Sequence, residues 1–364
     1  MWQKVRQETD QDTVILQIPN SRGEFYEDEQ TTIIPFDLGK SYIGFVKGIY
    51  HLATSKVVFV DNYVGMLAGT PFHSNVECIQ LWHANGAIKQ FGMRDPSISD
   101  RSNRANERFQ TVYNRFTHIT VGSDEMSDIF KEAFNTNDEV VLKTGVPRTD
   151  LFFDDQNVES IKADLEASYP QITDKQVIMY APTYREQELK DPKIQIDLDH
   201  LYQTLSDDYV LFLRLHPAVK YQYDGQYSDF VIDVSHYNDL NHLLLVTDIL
   251  ISDYSSIPFE FSLLEKPMIF HPYDLESYRR ERGFWEAYEK LVPGPIAFDT
   301  QDIAQLIKDN QFNLSQVREF SHVWNKYNDG FAAQKLVNSI YEIDSLIPSG
   351  EQEEPSYQPV SNDS

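Results

Sequence analysis

Residues 249–261, ILISDYSSIPFEF, decide the fold. The stretch begins with a short continuous apolar run, passes through a polar turn, and resumes as a helical pattern over 257–264. An uninterrupted apolar run of this length is typical of a parallel strand that is buried on both faces. A strand followed at once by a helix is the repeating unit of a doubly wound α/β sheet.

The same unit recurs along the chain. Apolar runs predict strands at 14–18, 57–60, 79–82, 119–122 and 140–142, and again at 177–180, 209–213, 230–232, 249–252 and 268–270. Helical patterns lie between them, for example over 125–134 and 158–168. Two series of strands predict two Rossmann-like sheets, and 364 residues exceed the size at which a single core usually stops growing.

An acidic polar segment near 148–160 separates the two series. It predicts an N-terminal domain over 1–150 and a C-terminal domain over 151–345. Residues 315–345 have a helical pattern, and such a helix can cross back to the first domain. The composition of 351–364 is typical of a disordered acidic tail.

Charge and composition exclude several classes of protein. The chain has 31 basic and 57 acidic residues, a net charge of −26, which opposes general binding to nucleic acid. Its one cysteine excludes an intramolecular disulfide framework. The sequence lacks a secretory leader and an apolar run long enough to span a bilayer, so a cytoplasmic protein is expected.

Polar side chains follow four of the predicted strands. These exits read WHANGA at 82–87, APTYRE at 181–186, RLHPA at 214–218 and SDYSSIPFEF at 252–261. Doubly wound sheets bind ligands beyond the carboxyl ends of their strands. One exit from the first domain and three from the second therefore predict a ligand cleft between the domains.

His83 follows its strand directly and precedes four small residues, Ala84, Asn85, Gly86 and Ala87. We interpret the small residues as clearing space for a substrate beside the imidazole ring. A histidine in such a place is suited to act as a general base that accepts a hydroxyl proton. The acids nearby are too numerous for its orienting partner to be chosen.

The second series of exits contains candidate anion ligands. Ser255 and Ser256 begin the predicted helix, whose amino end and hydroxyls can bind phosphate; ordinary helix capping is the alternative. Glu260, one turn further on, can accept hydrogen bonds from ribose. His216 can donate to a phosphate or protonate a leaving group, or it is a structural histidine.

Arginines offer further phosphate contacts, and surface arginines are the alternative in each case. The candidates are Arg148 in GVPRTD, Arg185 in APTYRE and Arg214 in RLHPA. Residues 83–115 are locally basic, with six basic and three acidic side chains. Either this segment approaches a phosphate-bearing partner or it is a solvated helix face. The remaining histidines share no metal-ligand spacing, so no metal ion is expected.

Six motifs in order resemble the CDP-glycerol glycerophosphotransferase family of teichoic acid synthesis. They are WHANGAIKQFG, GVPRTD, YAPTYRE, RLHP, SDYSSIPFEF and ERGFWEAYEKLVPGP. The resemblance spans roughly residues 40–345 and implies a GT-B fold, with two Rossmann-like domains facing across a cleft. The family's His-Gly-Thr motif reads His-Ala-Asn-Gly here, without the hydroxyl.

The resemblance implies transfer of glycerol phosphate from CDP-glycerol, with release of CMP and no cofactor. It implies that His83 and His216 are catalytic. The implied CDP-glycerol-binding residues are His83, Ala84, Asn85, Gly86, Ala87, Arg148, Thr183, Arg185, Arg214, His216, Ser255, Ser256 and Glu260. The wording is most similar to the primase branch, whose acceptor is GlcNAc-ManNAc linked to undecaprenyl pyrophosphate at the inner face of the membrane.

That acceptor would give the basic segment a purpose, namely peripheral approach to lipid phosphate through Lys89, Arg101, Arg104 and Arg108. Three alternatives remain open. The enzyme could extend a primed lipid, as a second primase or a short polymerase. It could act on a nucleotide sugar, as a GT-B glycosyltransferase or 2-epimerase. It could also be a scaffold without activity.

Overall fold

The computed structural model describes residues 1–343 apart from 19, 20, 22, 24, 186–192, 217, 218, 220 and 222. The predicted tail at 351–364 lies outside the described residues. The described strands are β1 Thr13–Gln17, β2 Thr31–Pro35, β3 Val57–Val60, β4 Glu77–Gln80, β5 His118–Thr120, β6 Val141–Leu142, β7 Gln176–Tyr180, β8 Tyr209–Leu213, β9 Val231–Asp233, β10 Ile249–Ser252 and β11 Met268–Phe270. The described α-helices are α1 Trp2–Glu8, α2 Tyr42–Thr54, α3 Asn103–Tyr113, α4 Asp124–Phe134, α5 Asp155–Ser168, α6 Leu198–Leu205, α7 Leu240–Val246, α8 Ile257–Phe261, α9 Leu275–Arg282, α10 Tyr288–Leu291, α11 Thr300–Lys308, α12 Leu314–Trp324 and α13 Ala332–Tyr341.

The strands form parallel sheets, which confirms the predicted α/β class. One sheet has the order β3-β4-β5-β6, and a second has the order β11-β10-β7-β8-β9. A separate pair, β1 and β2, is also parallel. Each strand predicted from an apolar run is present, whereas β2 was not predicted from the sequence.

The second sheet explains why its strands read as continuous apolar runs. Val177 and Phe212 face one hydrophobic cluster, while Ile178 and Leu211 face another that includes side chains of α6 and α11. Both faces of the sheet are therefore covered by helices. Alternate side chains enter different cores, so no polar alternation is needed.

Helix α2 packs closely because its inner face is small. Ser41 caps the helix by accepting a hydrogen bond from the Gly44 amide, and a Cβ at Gly44 or Gly48 would overlap the backbone of Pro35 or the ring of Phe36. Five bulky apolar side chains of α2 lie on the opposite, exposed face: Tyr42, Ile43, Val46, Ile49 and Tyr50. No helix in the part of the chain that the structure describes is long and apolar enough to cross a membrane.

The predicted helix over 315–345 is two helices in the structure. The break between α12 and α13 contains Gly330, whose φ of +85° lies in the left-handed region that glycine adopts easily. Helix α12 packs against α4 and α8, while α13 packs against α1. The end of the described chain therefore lies against its beginning.

Candidate active site

The structure brings all four predicted strand exits to one cavity of about 490 Å³. The cavity lies between the segments that follow β4, β7, β8 and β10, with one end of α9 beside them. Ten of the predicted site residues line it: His83, Ala84, Gly86, Ala87, Lys89, Thr183, Arg214, His216, Ser255 and Ser256. The others lie elsewhere: Asn85, Arg101, Arg104, Arg108, Arg148, Arg185 and Glu260.

A strained turn aims His83 at the cavity. Trp82 has a φ of +58°, in the left-handed region that is unfavourable for a bulky residue. The Trp82 amide donates to Gln80 Oε1 at 2.9 Å, and the Trp82 ring stacks on the His83 ring with centroids 4.4 Å apart. The strand thus ends at Gln80, and the turn delivers the imidazole to the cavity wall.

The orienting partner of His83 is a backbone group. His83 Nδ1 lies 3.1 Å from the carbonyl oxygen of Asp61. Since a carbonyl only accepts, Nδ1 carries the proton in the neutral ring and Nε2 is left as an acceptor. Loss of solvent around the ring lowers its pKa, and the charges of Arg148 and Lys89 lower it further. The imidazole is therefore neutral near pH 7, the form a general base requires.

The small residues after His83 serve packing as well as space. A Cβ on Gly86 would overlap the ring of Phe259 in α8. Asn85, predicted to bind substrate, is fully buried instead. It bonds to Asn325, and Asn328 Nδ2 donates to Asn85 Oδ1 at 2.9 Å, so this amide ties the His83 loop to the break after α12.

Arg148 and Glu260 hold the His83 loop from behind rather than facing the cavity. Arg148 donates to the carbonyl oxygen of His83 and, at 3.1 Å, to Asn241 Oδ1. Its Nε lies 3.4 Å from Glu260 Oε1, and the Glu260 side chain is 3% exposed. Burial raises the pKa of Glu260, which Arg148 opposes. The ribose contact of Glu260 and the phosphate contact of Arg148 stay predictions, and in this structure the two side chains contact each other and Arg148 contacts the His83 loop.

Arg185, predicted to contact phosphate, is engaged by carboxylates in this structure, and its phosphate contact stays a prediction. Its Nε and Nη2 each donate to Asp274 at 2.8 Å, and its Nη1 donates to Asp253 at 3.0 Å. The guanidinium lies over the rings of Tyr254 and Tyr278, at 5.1 and 4.6 Å from their centroids. Two carboxylates and the rings occupy this cation, so it stabilises the loops around it.

Asp253 joins two strand exits. Its Oδ1 accepts from the amides of Thr183, at 2.8 Å, and Tyr254, at 2.6 Å. The helix that was predicted to begin at Ser255 begins at Ile257 in the structure, and α8 has only five residues. Ser255 Oγ accepts a hydrogen bond from the Ile257 amide at this helix start. Thr183 Oγ1 is buried without a hydrogen-bond partner among the described residues. Thr183, Ser255 and Ser256 line the cavity beside the junction that Asp253 fixes.

The RLHP exit divides into a buried and an accessible residue. Arg214 is 8% exposed, and its Nη1 donates to the carbonyl oxygens of Val234 and Ser235 at 2.6 and 2.7 Å. His216 is exposed at the cavity wall, where its ring contacts that of Tyr184 at a centroid distance of 4.4 Å. Pro217 lies outside the described residues.

The residues of the basic segment, 83–115, also divide between the cavity and the outer surface. Lys89, predicted to contact the acceptor or the membrane, lines the cavity. Arg101 lies 3.4 Å from Asp95, whereas Arg104 and Arg108 are exposed on α3. The sequence reading did not select Arg282 or Tyr278, both of which line the cavity. Arg282 belongs to the ERGFW motif, which served only as a point of resemblance, whereas Tyr278 precedes that motif.

A family model for CDP-glycerol:poly(glycerophosphate) glycerophosphotransferase matches residues 26–342. The chain belongs to this family. It is 40% identical over 305 residues to a teichoic acid glycerol-phosphate primase of Bacillus subtilis, covering 84% of this chain and 78% of the relative. The chain is therefore a glycerophosphotransferase related to the enzymes of teichoic acid biosynthesis.

Solved structures confirm the GT-B fold. The wall teichoic acid polymerase TagF superposes with a TM-score of 0.76 at 26% identity, over 91% of this chain and 88% of that one. A UDP-GlcNAc 2-epimerase from Neisseria meningitidis superposes with a TM-score of 0.51 at 16% identity, over 79% and 76% of the two chains. The epimerase likeness concerns the fold alone.

Proposed function

We propose that this enzyme transfers glycerol phosphate from CDP-glycerol to the ManNAc hydroxyl of GlcNAc-ManNAc linked to undecaprenyl pyrophosphate, releasing CMP. The observation that carries the proposal is the 3.1 Å contact between His83 Nδ1 and the carbonyl oxygen of Asp61, from which we infer that Nε2 is an acceptor in a residue that lines the cavity. The similarity to a teichoic acid glycerol-phosphate primase supports the donor and a lipid-linked acceptor, and the identity of the disaccharide rests on the resemblance of the motifs.

The chemistry assigned to these residues is a displacement at phosphorus. The acceptor oxygen attacks the phosphorus that bears glycerol, and His83 Nε2 takes the hydroxyl proton. The bond from that phosphorus to the CMP oxygen breaks, and CMP leaves with the bonding pair. We assign phosphate contacts to His216, Thr183 and Ser256, all of which line the cavity. The proposal uses side chains and no metal ion.

We assign the acceptor to the first half of the chain, over 1–150, and CDP-glycerol to the second, over 151–345. The proposed base comes from the exit of β4 in the first sheet. The hydroxyls and His216 come from exits of β7, β8 and β10 in the second. The two substrates would then meet at the cavity between them.

We also propose a peripheral position at the inner face of the cell membrane. The exposed apolar face of α2 supports this, because large apolar patches mark interaction surfaces and a lipid surface can cover them. The exposed Arg104 and Arg108 on α3 are available to anionic headgroups. This proposed membrane contact does not include Lys89 or Arg101.

The test is CMP release from CDP-glycerol with and without the lipid-linked disaccharide, followed by mass analysis of the product. Release that depends on the acceptor and adds one unit supports the proposal. Release from UDP-sugars instead of CDP-glycerol would contradict it. The likeness to the polymerase TagF favours one alternative, extension of an already primed lipid. Turnover on glycerol-phosphate-primed lipid, with none on the disaccharide, would select that alternative.

A further inference from the structure

We propose that Lys89 binds the phosphate oxygens of the donor and is the cation that meets the negative charge on them during transfer. The inference rests on the proposed function, because it assumes that CDP-glycerol occupies the cavity. It assigns to Lys89 a role in substrate binding, in place of the membrane role expected from its basic neighbourhood.

Two segments from opposite halves of the chain fix Lys89 in place. The Gln90 amide donates to the carbonyl oxygen of Gly283 at 3.1 Å, and the Trp285 amide donates to that of Ile88 at 3.0 Å. Lys89 itself forms an antiparallel bridge with Phe284. Gly283 has a φ of +63°, a backbone conformation in which a side chain is strained, so this turn favours glycine.

Lys89 differs from Arg148 and Arg185 in the pairing of its charged group. Arg148 pairs with Glu260, and Arg185 pairs with two carboxylates. Within the residues that the structure describes, the Lys89 ammonium has no hydrogen bond and no ion pair. A cation that lines a cavity without a partner is stabilised when an anionic ligand enters.

The groups around Lys89 place this anion site on the donor side. Asp253, Arg282 and Arg185 act electrostatically on the ammonium. The other titratable side chains that face the same cavity are His83, Asp95, Tyr184, Arg214, His216, Tyr254 and Tyr278. Asp253 belongs to the loop that carries the two serines, so Lys89 reaches from the His83 loop toward the proposed donor half.

Burial gives the site a recognisable pH dependence. Loss of solvent lowers the pKa of Lys89 to about 8, which Asp253 opposes and Arg282 reinforces. The ammonium is therefore charged at pH 7 and loses its charge as pH rises through about 8. Donor affinity in the free enzyme should fall over that interval if this cation binds phosphate.

The experiment is calorimetric titration of CDP-glycerol into wild type, Lys89→Met, Lys89→Arg and a matched control, Lys308→Met, whose lysine is exposed on α11. Circular dichroism checks that each variant is folded. We expect Lys89→Met to bind about 30-fold more weakly, as for loss of a charged hydrogen bond. Lys89→Arg should retain most of the affinity, and Lys308→Met should match wild type.

A pH series and an acceptor titration complete the test. Wild-type affinity should fall above pH 8, whereas Lys89→Arg should hold its affinity to higher pH and Lys89→Met should be weak throughout. Equal binding by wild type and a folded Lys89→Met overturns the inference alone. A raised KM for the acceptor with unchanged donor affinity overturns the assignment to the donor. Failure of wild type to bind CDP-glycerol overturns the proposed function itself.

Discussion

The loops after β4, β7 and β10 each follow the carboxyl end of a strand, but they differ in the surroundings of their charged side chains. On the first side, His83 and Lys89 line the cavity with lowered pKa values. On the second, Arg185 and Asp253 are 7% and 1% exposed and satisfy one another. One loop keeps its ionisable groups available, whereas the others use theirs to hold the backbone.

This difference distinguishes charged residues that can act on a ligand from charged residues that are already paired. The motifs alone do not make that distinction. A charged residue at a strand exit can act on a ligand only if its own charge is not already neutralised. Buried pairs such as Arg185 with Asp253 and Asp274 are costly to break, because each leaves an uncompensated charge. The predictions below test whether the reactive and the structural loops can be told apart by experiment.

The largest effect is expected at His83. His83→Ala should lower kcat by about 10³-fold, because the acceptor hydroxyl loses its general base. CDP-glycerol affinity, measured by calorimetry, should stay close to that of wild type. His73→Ala changes an exposed histidine outside the cavity and serves as the control. Equal kcat values for His83→Ala and wild type would remove His83 from the mechanism.

Arg185 should affect stability before it affects chemistry. Arg185→Met leaves the carboxylates of Asp253 and Asp274 without their cation, and we expect the free energy of unfolding to fall by about 3–5 kcal/mol. Urea denaturation measures this change, and adding Asp274→Asn should recover part of it. Unchanged stability together with weaker CDP-glycerol binding would instead return Arg185 to the phosphate site.

Arg148 should act through the pKa of His83. Its positive charge lowers that pKa, so removing the charge raises it and leaves more of the base protonated at a given acidic pH. The double variant Arg148→Met, Glu260→Gln avoids a buried unpaired carboxylate. In this double variant, the acid limb of the dependence of kcat on pH should move to higher pH, with about tenfold lower activity near pH 6. Glu260→Gln alone keeps the Arg148 charge, and a limb shifted as far by this variant would contradict the account.

The effects expected to be smallest for catalysis belong to the outer surface, where charges are solvated on both sides of the comparison. Ile43→Glu with Val46→Glu should abolish insertion of α2 and weaken binding to anionic vesicles. Arg104→Gln with Arg108→Gln should weaken binding about fivefold for each arginine lost. Vesicle sedimentation measures both. Unchanged binding by both pairs would exclude these helices as the membrane contact.

The fold could be predicted because its strongest signal is local. Strands such as β8 and β10 are buried on both faces, so each reads as an uninterrupted apolar run with boundaries visible in the sequence. Strand β2 was missed because five residues ending in proline carry little of that signal. Helix α2 presents apolar residues on both faces and glycines on the inner one, so its pattern does not show which face is buried.

The site was predictable in its location but not in the roles of its residues. The polar exits identified the cavity, since parallel strands end at a common edge. The partner of His83 is a backbone carbonyl, and such a partner cannot be predicted from residue types. The pairing of Arg185 with Asp274 and of Asn85 with Asn325 depends on contacts across 89 and 240 positions of the chain. Such contacts decide which charges remain available.

The central claim is that the loop after β4 supplies a neutral base whose pKa is set by the cavity. The most direct test is the pH dependence of kcat at saturating donor and acceptor, for wild type and His83→Ala. We predict an acid limb in wild type with its midpoint below 6.5, the ordinary value for histidine, and no such limb in the residual activity of the variant. An acid limb at the same pH in both proteins would contradict the account.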